Sequence, residues 1–107
     1  MLDEVVTQTV RRYLHNVEES GIPVRFGVVF GSQAEGRAGP WSDIDLLVVS
    51  PAFDELRDRR PIDLLWRLSA RVDSRIEPVP CGESQWEADD ASALIEVARR
   101  HGERVEL

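Results

Sequence analysis

The sequence feature that most constrains the fold is the segment from Gly31 to Val49, GSQAEGRAGPWSDIDLLVV. An apolar run leads into its Gly-Ser pair, and a polar connection that contains glycine follows. The segment then continues as Ser-Asp-Ile-Asp, which ends at Asp45, and passes into a second apolar run. This order predicts a strand, a tight turn with the start of a helix, a loop and a second strand.

The remaining apolar residues predict further helices and strands around this segment. The repeat from Leu2 to Val17 predicts an amphipathic first helix that ends before Gly21. Strands are expected at residues 24–30, 43–50, 75–80 and 104–107. A second helix is expected from Pro61 to residue 72, and a last helix at 91–101, capped by Asp89 or Asp90 and closed by Gly102. Loops are expected at 51–60, with room for one helical turn, and at 81–89. This order predicts an α/β or α+β fold in which a small mixed sheet is flanked by helices.

Three residues indicate how the strands are arranged in that sheet. The strand that follows Asp45 is apolar on both faces, which is typical of a central strand covered by helices. Gly27 carries no side chain, so a neighbouring element can approach that face of the first strand closely. Pro78 cannot donate a ladder hydrogen bond, which favours an edge position for the third strand.

Length, charge and cysteine content restrict the class of protein. The 107 residues are expected to form one domain, 1–107, and a net charge of −7 argues against broad contact with nucleic acid or an anionic membrane. No apolar run approaches the roughly 20 residues that span a bilayer. Asp3 and Glu4 stand where a secretory signal is basic, and Cys81 is the only cysteine. We therefore expect a cytoplasmic protein with no disulfide within the chain.

All thirteen basic residues are arginine, and the chain contains no lysine. A phosphate-binding lysine of the Walker type and a lysine that forms a Schiff base are therefore excluded. The arginine bias itself is explained at least as well by base composition as by function.

Asp43 and Asp45 are the first candidates for chemistry. Residues two apart in a strand point to the same face, so their carboxylates are expected to lie side by side and repel each other. A divalent cation such as Mg²⁺, which prefers oxygen ligands, removes that repulsion. A pair of solvated charges at the start of a strand is the simpler reading of an isolated Asp-x-Asp, but here a buried strand follows directly.

Two further groups are expected near this pair. Gly31 lets the backbone approach a phosphate, and Ser32, if it begins a helix, offers free amides and a hydroxyl to the same anion. Taken by itself, the Gly-Ser pair is better explained as an ordinary turn in which Ser32 caps a helix. Glu77 in the third strand is a candidate third carboxylate, and an exposed glutamate on an edge strand is its plain alternative.

The motif resembles that of a known group of enzymes. Gly31-Ser32, Ala34, Gly36 and Ser42-Asp43-Ile44-Asp45-Leu46 match the signature of the DNA polymerase beta-like nucleotidyltransferase superfamily, and their close spacing is similar to its minimal nucleotidyltransferase branch. The resemblance implies the nucleotidyltransferase fold and magnesium-dependent transfer of a nucleoside monophosphate, most simply AMP from ATP, to a hydroxyl acceptor.

The resemblance also implies a role for each site residue. Asp43, Asp45 and Glu77 would be catalytic and would bind two Mg²⁺ ions, while Gly31 and Ser32 would hold the triphosphate and Ser42 would orient the turn before Asp43. The branch often has arginine where Gln33 and Glu35 stand, and Arg37 is the nearest replacement cation. Its third carboxylate is commonly aspartate, whereas this chain has glutamate beside a proline.

Two alternative functions remain open. Small members of the family resemble antitoxins that neutralise a HEPN-domain toxin, by AMP transfer or by contact alone. A catalytically degenerate nucleotide-binding domain is the other alternative. Trp41, which precedes Ser42, either stacks on a nucleotide base or packs over the edge of the sheet.

Overall fold

The computed structural model describes residues 2–88 and 92–107. The helices are α1 (Glu4–Glu19), α2 (Arg60–Val72), α3 (Glu83–Ala88) and α4 (Ala93–His101), with a short 3₁₀ helix at Pro51–Phe53, and the strands are β1 (Phe26–Phe30), β2 (Ile44–Ser50), β3 (Ile76–Gly82) and β4 (Glu103–Val105). None of the described helices is long and apolar enough to cross a membrane.

The strands form one mixed sheet in the order β3-β2-β1-β4. β2 runs antiparallel to β1 and parallel to β3, while β4 pairs antiparallel with β1. The predicted mixed sheet, the central position of the second strand and the edge position of the strand that contains Pro78 are all confirmed.

Helices cover both faces of the sheet, which explains why β2 is apolar along its length. Alternate residues of β2 point to opposite faces. Ile44, Leu46 and Val48 belong to the apolar cluster with α1 and α2, whereas Leu47 and Val49 belong to the cluster with α4. Asp45 has the same parity as Leu47, so its side chain lies at the end of the α4 face.

Gly27 marks the closest approach of α1 to the sheet. A Cβ atom at this position would lie 2.9 Å from Cδ1 of Leu14 and 3.0 Å from Cδ1 of Leu46. The sequence-based expectation of a close neighbour is therefore confirmed, and the neighbour is the first helix.

Three predicted local structures differ in the fold. The segment predicted as a loop at 81–89 instead extends β3 to Gly82 and then forms α3. The amide of Ser84 is capped by the Asp54 carboxylate at 3.0 Å, and this partner is thirty residues away in the sequence. The side chain of Ser92 caps α4, while the predicted caps, Asp89 and Asp90, lie outside the described residues.

The third difference concerns Ser32. Residues 31–36 form consecutive turns, so the predicted helix does not begin at this serine. The amide of Glu35 donates to the carbonyl of Gly31 at 3.1 Å, and that of Arg37 donates to the carbonyl of Ser32 at 3.0 Å. These bonds close turns and not a helix, and at Gly36 the φ of +74° prevents a helix from continuing.

Gly102 provides a test of how tightly α4 joins the sheet. Its φ of −80° suits any residue, but a Cβ atom would collide with the carbonyl oxygen of Ala98 and lie 3.0 Å from that of Val29. We expect Gly102→Ala to lower the free energy of unfolding by about 1–3 kcal/mol, as overpacking against a fixed backbone does. Urea unfolding measures this loss of stability. Gly39→Ala is the control, because the only atom within 4 Å of a Cβ there would be Ser42 Oγ, at 4.0 Å. Equal stability of the two variants would contradict this expectation.

Candidate functional site

Parallel pairing of β2 with β3 brings two carboxylates together. Asp45 and Glu77 are direct partners in the register of the two strands. Adjacent strands lie about 4.8 Å apart, and residues in register project to the same face. Both side chains are partly exposed, so this end of the sheet presents two neighbouring acids to solvent.

Asp43 adds a third negative charge to this pair. It is exposed and lies one residue before β2, with the same parity as Asp45. The pKa of Glu77 is raised above its ordinary value, first by desolvation and then by the charges of Asp43 and Asp45 and a hydrogen bond to Asp45. The structure therefore brings the three predicted acids within electrostatic reach of one another.

The Gly31 corner faces this acidic group directly. Gly31 follows β1 and adopts a φ of +72°, which residues with a side chain rarely adopt. A Cβ atom here would collide with Oδ2 of Asp45 and lie 3.4 Å from its Cγ. The positive φ favours glycine at this position, and the Asp45 carboxylate occupies the space that a side chain would take.

The turn after Gly31 offers amides to an anion even though no helix begins there. The first hydrogen bond of helical type in this turn is donated by Glu35, so the preceding amides, at residues 32–34, are not used by it. Amides at the start of a helical turn are typical donors to phosphate. The amides at residues 32–34 are therefore candidate donors to an anion.

Ser42 holds the turn that precedes Asp43. Its hydroxyl accepts a hydrogen bond from the amide of Gly39 at 2.9 Å, and its own amide donates to the carbonyl of Gly39 at 3.2 Å. Arg75, which forms an ion pair with Asp73 at 2.8 Å, also reaches the carbonyl of Pro40 at 3.4 Å. Hydrogen bonds within the turn and from Arg75 therefore both stabilise it.

Arg37 and Trp41 lie on the outside of this loop. The Arg37 guanidinium pairs with Glu35 at 3.4 Å, so the predicted replacement cation already has an acidic partner. The Trp41 side chain is 90% exposed, which rules out the predicted packing over the edge of the sheet and leaves its ring available to a ligand.

A cavity of about 380 Å³ lies behind the loop and not at the acids. Its wall is formed by the start of α1, the loop and Arg75, and Gln33 is the lining residue closest in sequence to the Gly-Ser corner. The lining residues are Asp3, Val5, Val6, Gln33, Gly36, Ala38, Gly39, Pro40 and Arg75. The three acids stand on the open end of the sheet, where a charged and hydrated ligand can reach them.

The acids have the chemistry of a metal site but not its closed geometry. Among residues 2–88 and 92–107, no group of three or more His, Cys, Asp or Glu side chains is placed so that it could hold a metal ion as it stands. Asp45 and Glu77 are nevertheless strand partners, and the charges of Asp43 and Asp45 add to desolvation in raising the pKa of Glu77. A hard divalent cation is the ligand that this donor set favours.

Sequence reasoning missed the contributions of Gln33 and Arg75. Gln33 was interpreted only as a departure from a common arginine, yet its side chain is buried and donates to the backbone beside Asp43. A polar residue among small and charged ones gives no sequence signal of such a contact. The Gly39-Pro40 turn likewise gave no indication that Arg75 would donate to its backbone.

Comparison with known proteins agrees with the motif and the fold. A family model described as a nucleotidyltransferase domain matches residues 11–98. A protein from Sulfolobus solfataricus assigned as a nucleotidyltransferase superposes with a TM-score of 0.62 at 18% identity, and the match covers 92% of this chain and 77% of that one.

A solved toxin–antitoxin structure with AMP-PNP is also similar. It has a TM-score of 0.58 and 21% identity, and the match covers 87% of this chain and 69% of that one. At these identities, the two structural likenesses show a shared α+β fold. A comparison with curated proteins gave no match.

Gly31→Ala tests the contact between the corner and Asp45. The variant combines an unfavourable positive φ with a collision, whereas Gly36→Ala has the same kind of φ and no atom within 4 Å of the added Cβ. We expect Gly36→Ala to lose about 1–2 kcal/mol of unfolding free energy and Gly31→Ala to lose clearly more. Urea unfolding measures both, and equal losses would show that Asp45 does not press against the corner.

Glu77→Gln tests the repulsion among the acids. A folded pKa above the unfolded value means that the folded chain retains a proton that the unfolded chain has lost, so stability falls as pH rises through that window. Without divalent cations, we expect Glu77→Gln to stabilise the protein at pH 7 and to have little effect below about pH 4, under the unfolded-state pKa. Urea unfolding at both pH values measures this, and a destabilised variant at pH 7 would contradict it.

Proposed function

Because the chain belongs to the nucleotidyltransferase domain family, we propose that it transfers AMP from ATP to a hydroxyl group in a magnesium-dependent reaction. One observation carries the proposal: the Asp45 carboxylate lies against the Gly31 corner with Glu77 beside it in the sheet. In this arrangement, acids that would bind the metal ions lie next to a corner that would bind phosphate.

The three acids would hold the metal ions. Asp43, Asp45 and Glu77 supply hard oxygen ligands, and their mutual repulsion is the feature that a divalent cation removes. When bound, Mg²⁺ would neutralise the triphosphate and activate the acceptor hydroxyl. We propose two ions, one of which would neutralise the triphosphate while the other activates the hydroxyl.

The other residues of the site would position the nucleotide. The amides after Gly31 and the Ser32 hydroxyl would bind the triphosphate, and Ser42 would keep the turn before Asp43 in place. The acceptor oxygen would form a bond to the α-phosphorus as the bond to the bridging oxygen breaks, with release of pyrophosphate. Glu77, the strand partner of Asp45, would bind the ion that activates the attacking hydroxyl or would accept the proton of that hydroxyl.

A protein is our proposed acceptor. The net charge of −7 disfavours a nucleic acid, and the exposed Trp41 lies two residues from Asp43. Exposed tryptophans are frequent anchors in protein interfaces. The similar toxin–antitoxin structure with AMP-PNP supports a protein partner. A toxin of the HEPN class is the partner that we propose, with the cytoplasm as the location.

The second candidate function is neutralisation of such a partner by contact alone. It is favoured by the pairing of Arg37 with Glu35, because this cation is already engaged by an acid. A nucleotide-binding domain without turnover would share the same contacts with ATP. Measured transfer of AMP from ATP would separate the catalytic function from neutralisation by contact and from nucleotide binding without turnover.

Asp43→Asn and Asp45→Asn test the catalytic proposal. Each removes one metal-binding charge, so we expect transfer from labelled ATP to fall at least 100-fold and Mg²⁺-dependent ATP binding to weaken. Asp63→Asn on the exposed face of α2 is the matched control and should behave as the wild type does. Undiminished ATP binding by both site variants would contradict the proposal.

Trp41→Ala separates partner contact from catalysis. We expect it to bind ATP normally but to lose co-purification with a helical protein encoded by the neighbouring open reading frame. Asp43→Asn should retain co-purification if contact alone neutralises the partner. Trp66→Ala, which removes a half-exposed tryptophan from α2, serves as the control.

A further inference from the structure

Gln33 occupies an unusual place for a polar side chain in this loop. It is only 8% exposed, although the residues that follow Ala34 in the same loop are exposed. Its side-chain nitrogen lies 3.3 Å from the carbonyl oxygen of Ser42 and 3.5 Å from that of Asp43. One amide group therefore donates to two successive carbonyls.

Those two carbonyls belong to the peptide groups on either side of the Asp43 Cα atom. The Ser42 carbonyl is part of the peptide that leads into Asp43, and the Asp43 carbonyl is part of the one that leads out. Asp43 precedes the first residue of β2, so no strand ladder fixes it. The next amide, that of Ile44, is held by the carbonyl of Arg75 at 2.8 Å.

We propose that Gln33 is a positioning residue that fixes the backbone of Asp43 and so directs its carboxylate toward Asp45 and Glu77. The inference rests on the proposed function, because it assigns Asp43 to a metal site. The side chain of Gln33 acts through two carbonyls and does not itself touch a metal or a nucleotide.

The chemistry of the amide distinguishes positioning from simple packing. A packing role requires only a side chain of similar length, which methionine provides without donors. A positioning role requires the N–H donors, and glutamate of the same shape replaces them with acceptors that face two carbonyl oxygens. The pair of variants Gln33→Met and Gln33→Glu therefore separates the two roles.

The experiment measures loop geometry and metal use separately in the full chain. Carbonyl ¹³C chemical shifts of Ser42 and Asp43 report whether both accept a hydrogen bond. Calorimetry of AMP-PNP binding over a range of Mg²⁺ concentrations reports how well the acids hold the ion. Gln8→Glu in α1 is the control for the change of charge, and thermal unfolding shows whether each variant folds.

We expect both Gln33 variants to fold, to shift the Ser42 and Asp43 carbonyl signals and to need about 10-fold more Mg²⁺ for half-maximal binding. That factor corresponds to the loss of a hydrogen bond of typical strength. The turnover number at saturating ATP should fall with little change in KM at high Mg²⁺. Gln33→Glu should be the more impaired of the two, because its acceptors repel the carbonyls.

Three results would overturn the inference. If Gln33→Met matches the wild type in Mg²⁺ requirement, the side chain only packs. If the Ser42 and Asp43 carbonyl signals do not move in either variant, the two hydrogen bonds do not hold the backbone. In the third case, the wild type shows no Mg²⁺-dependent binding of AMP-PNP that Asp43→Asn weakens. The proposed function then fails, and the role of Gln33 in directing a metal-binding carboxylate fails with it, even if the carbonyl signals move.

Discussion

The parallel pairing of β2 with β3 is the interaction on which the candidate site depends. It puts Asp45 directly beside Glu77 at the open end of the sheet, and the antiparallel pairing of β2 with β1 brings the Gly31 corner onto the same carboxylate. Apolar residues on both faces of β2 pack under helices and hold this register. The burial of Leu46 to Val49 thus stabilises an arrangement of like charges that would otherwise separate.

The loop between β1 and β2 completes the site by contacts that are mostly local. Gly31 admits the Asp45 carboxylate, Ser42 fastens the turn, and Gln33 reaches the backbone on both sides of Asp43. Arg75, the residue before β3, adds a hydrogen bond to the carbonyl of Pro40 in this loop. Positions in this loop that face solvent, such as Trp41, are then free to meet a partner, while the acids remain fixed.

The sequence was sufficient to predict those elements whose pattern of apolar residues is local and periodic. The apolar period of α1, the two-sided burial of β2 and the edge position of Pro78 all follow from the chemistry of residues close together in the chain. It was insufficient where the partner is distant: α3 is capped by Asp54 from thirty residues away, and Gln33 acts on carbonyls nine and ten residues further on. Ser32 was expected to begin a helix, but residues 31–36 form turns, and Gly36 has a positive φ that a continuing helix does not allow.

Paramagnetic NMR with Mn²⁺ in place of Mg²⁺ tests the central claim, the convergence of three acids on a divalent cation, most directly. At the lowest Mn²⁺ concentrations, the amide signals of Gly31, Asp43, Asp45 and Glu77 should broaden first and together. Broadening that begins instead at the acids near α3, such as Asp54 and Glu83, or at Asp3 and Glu4 of α1, would contradict the account.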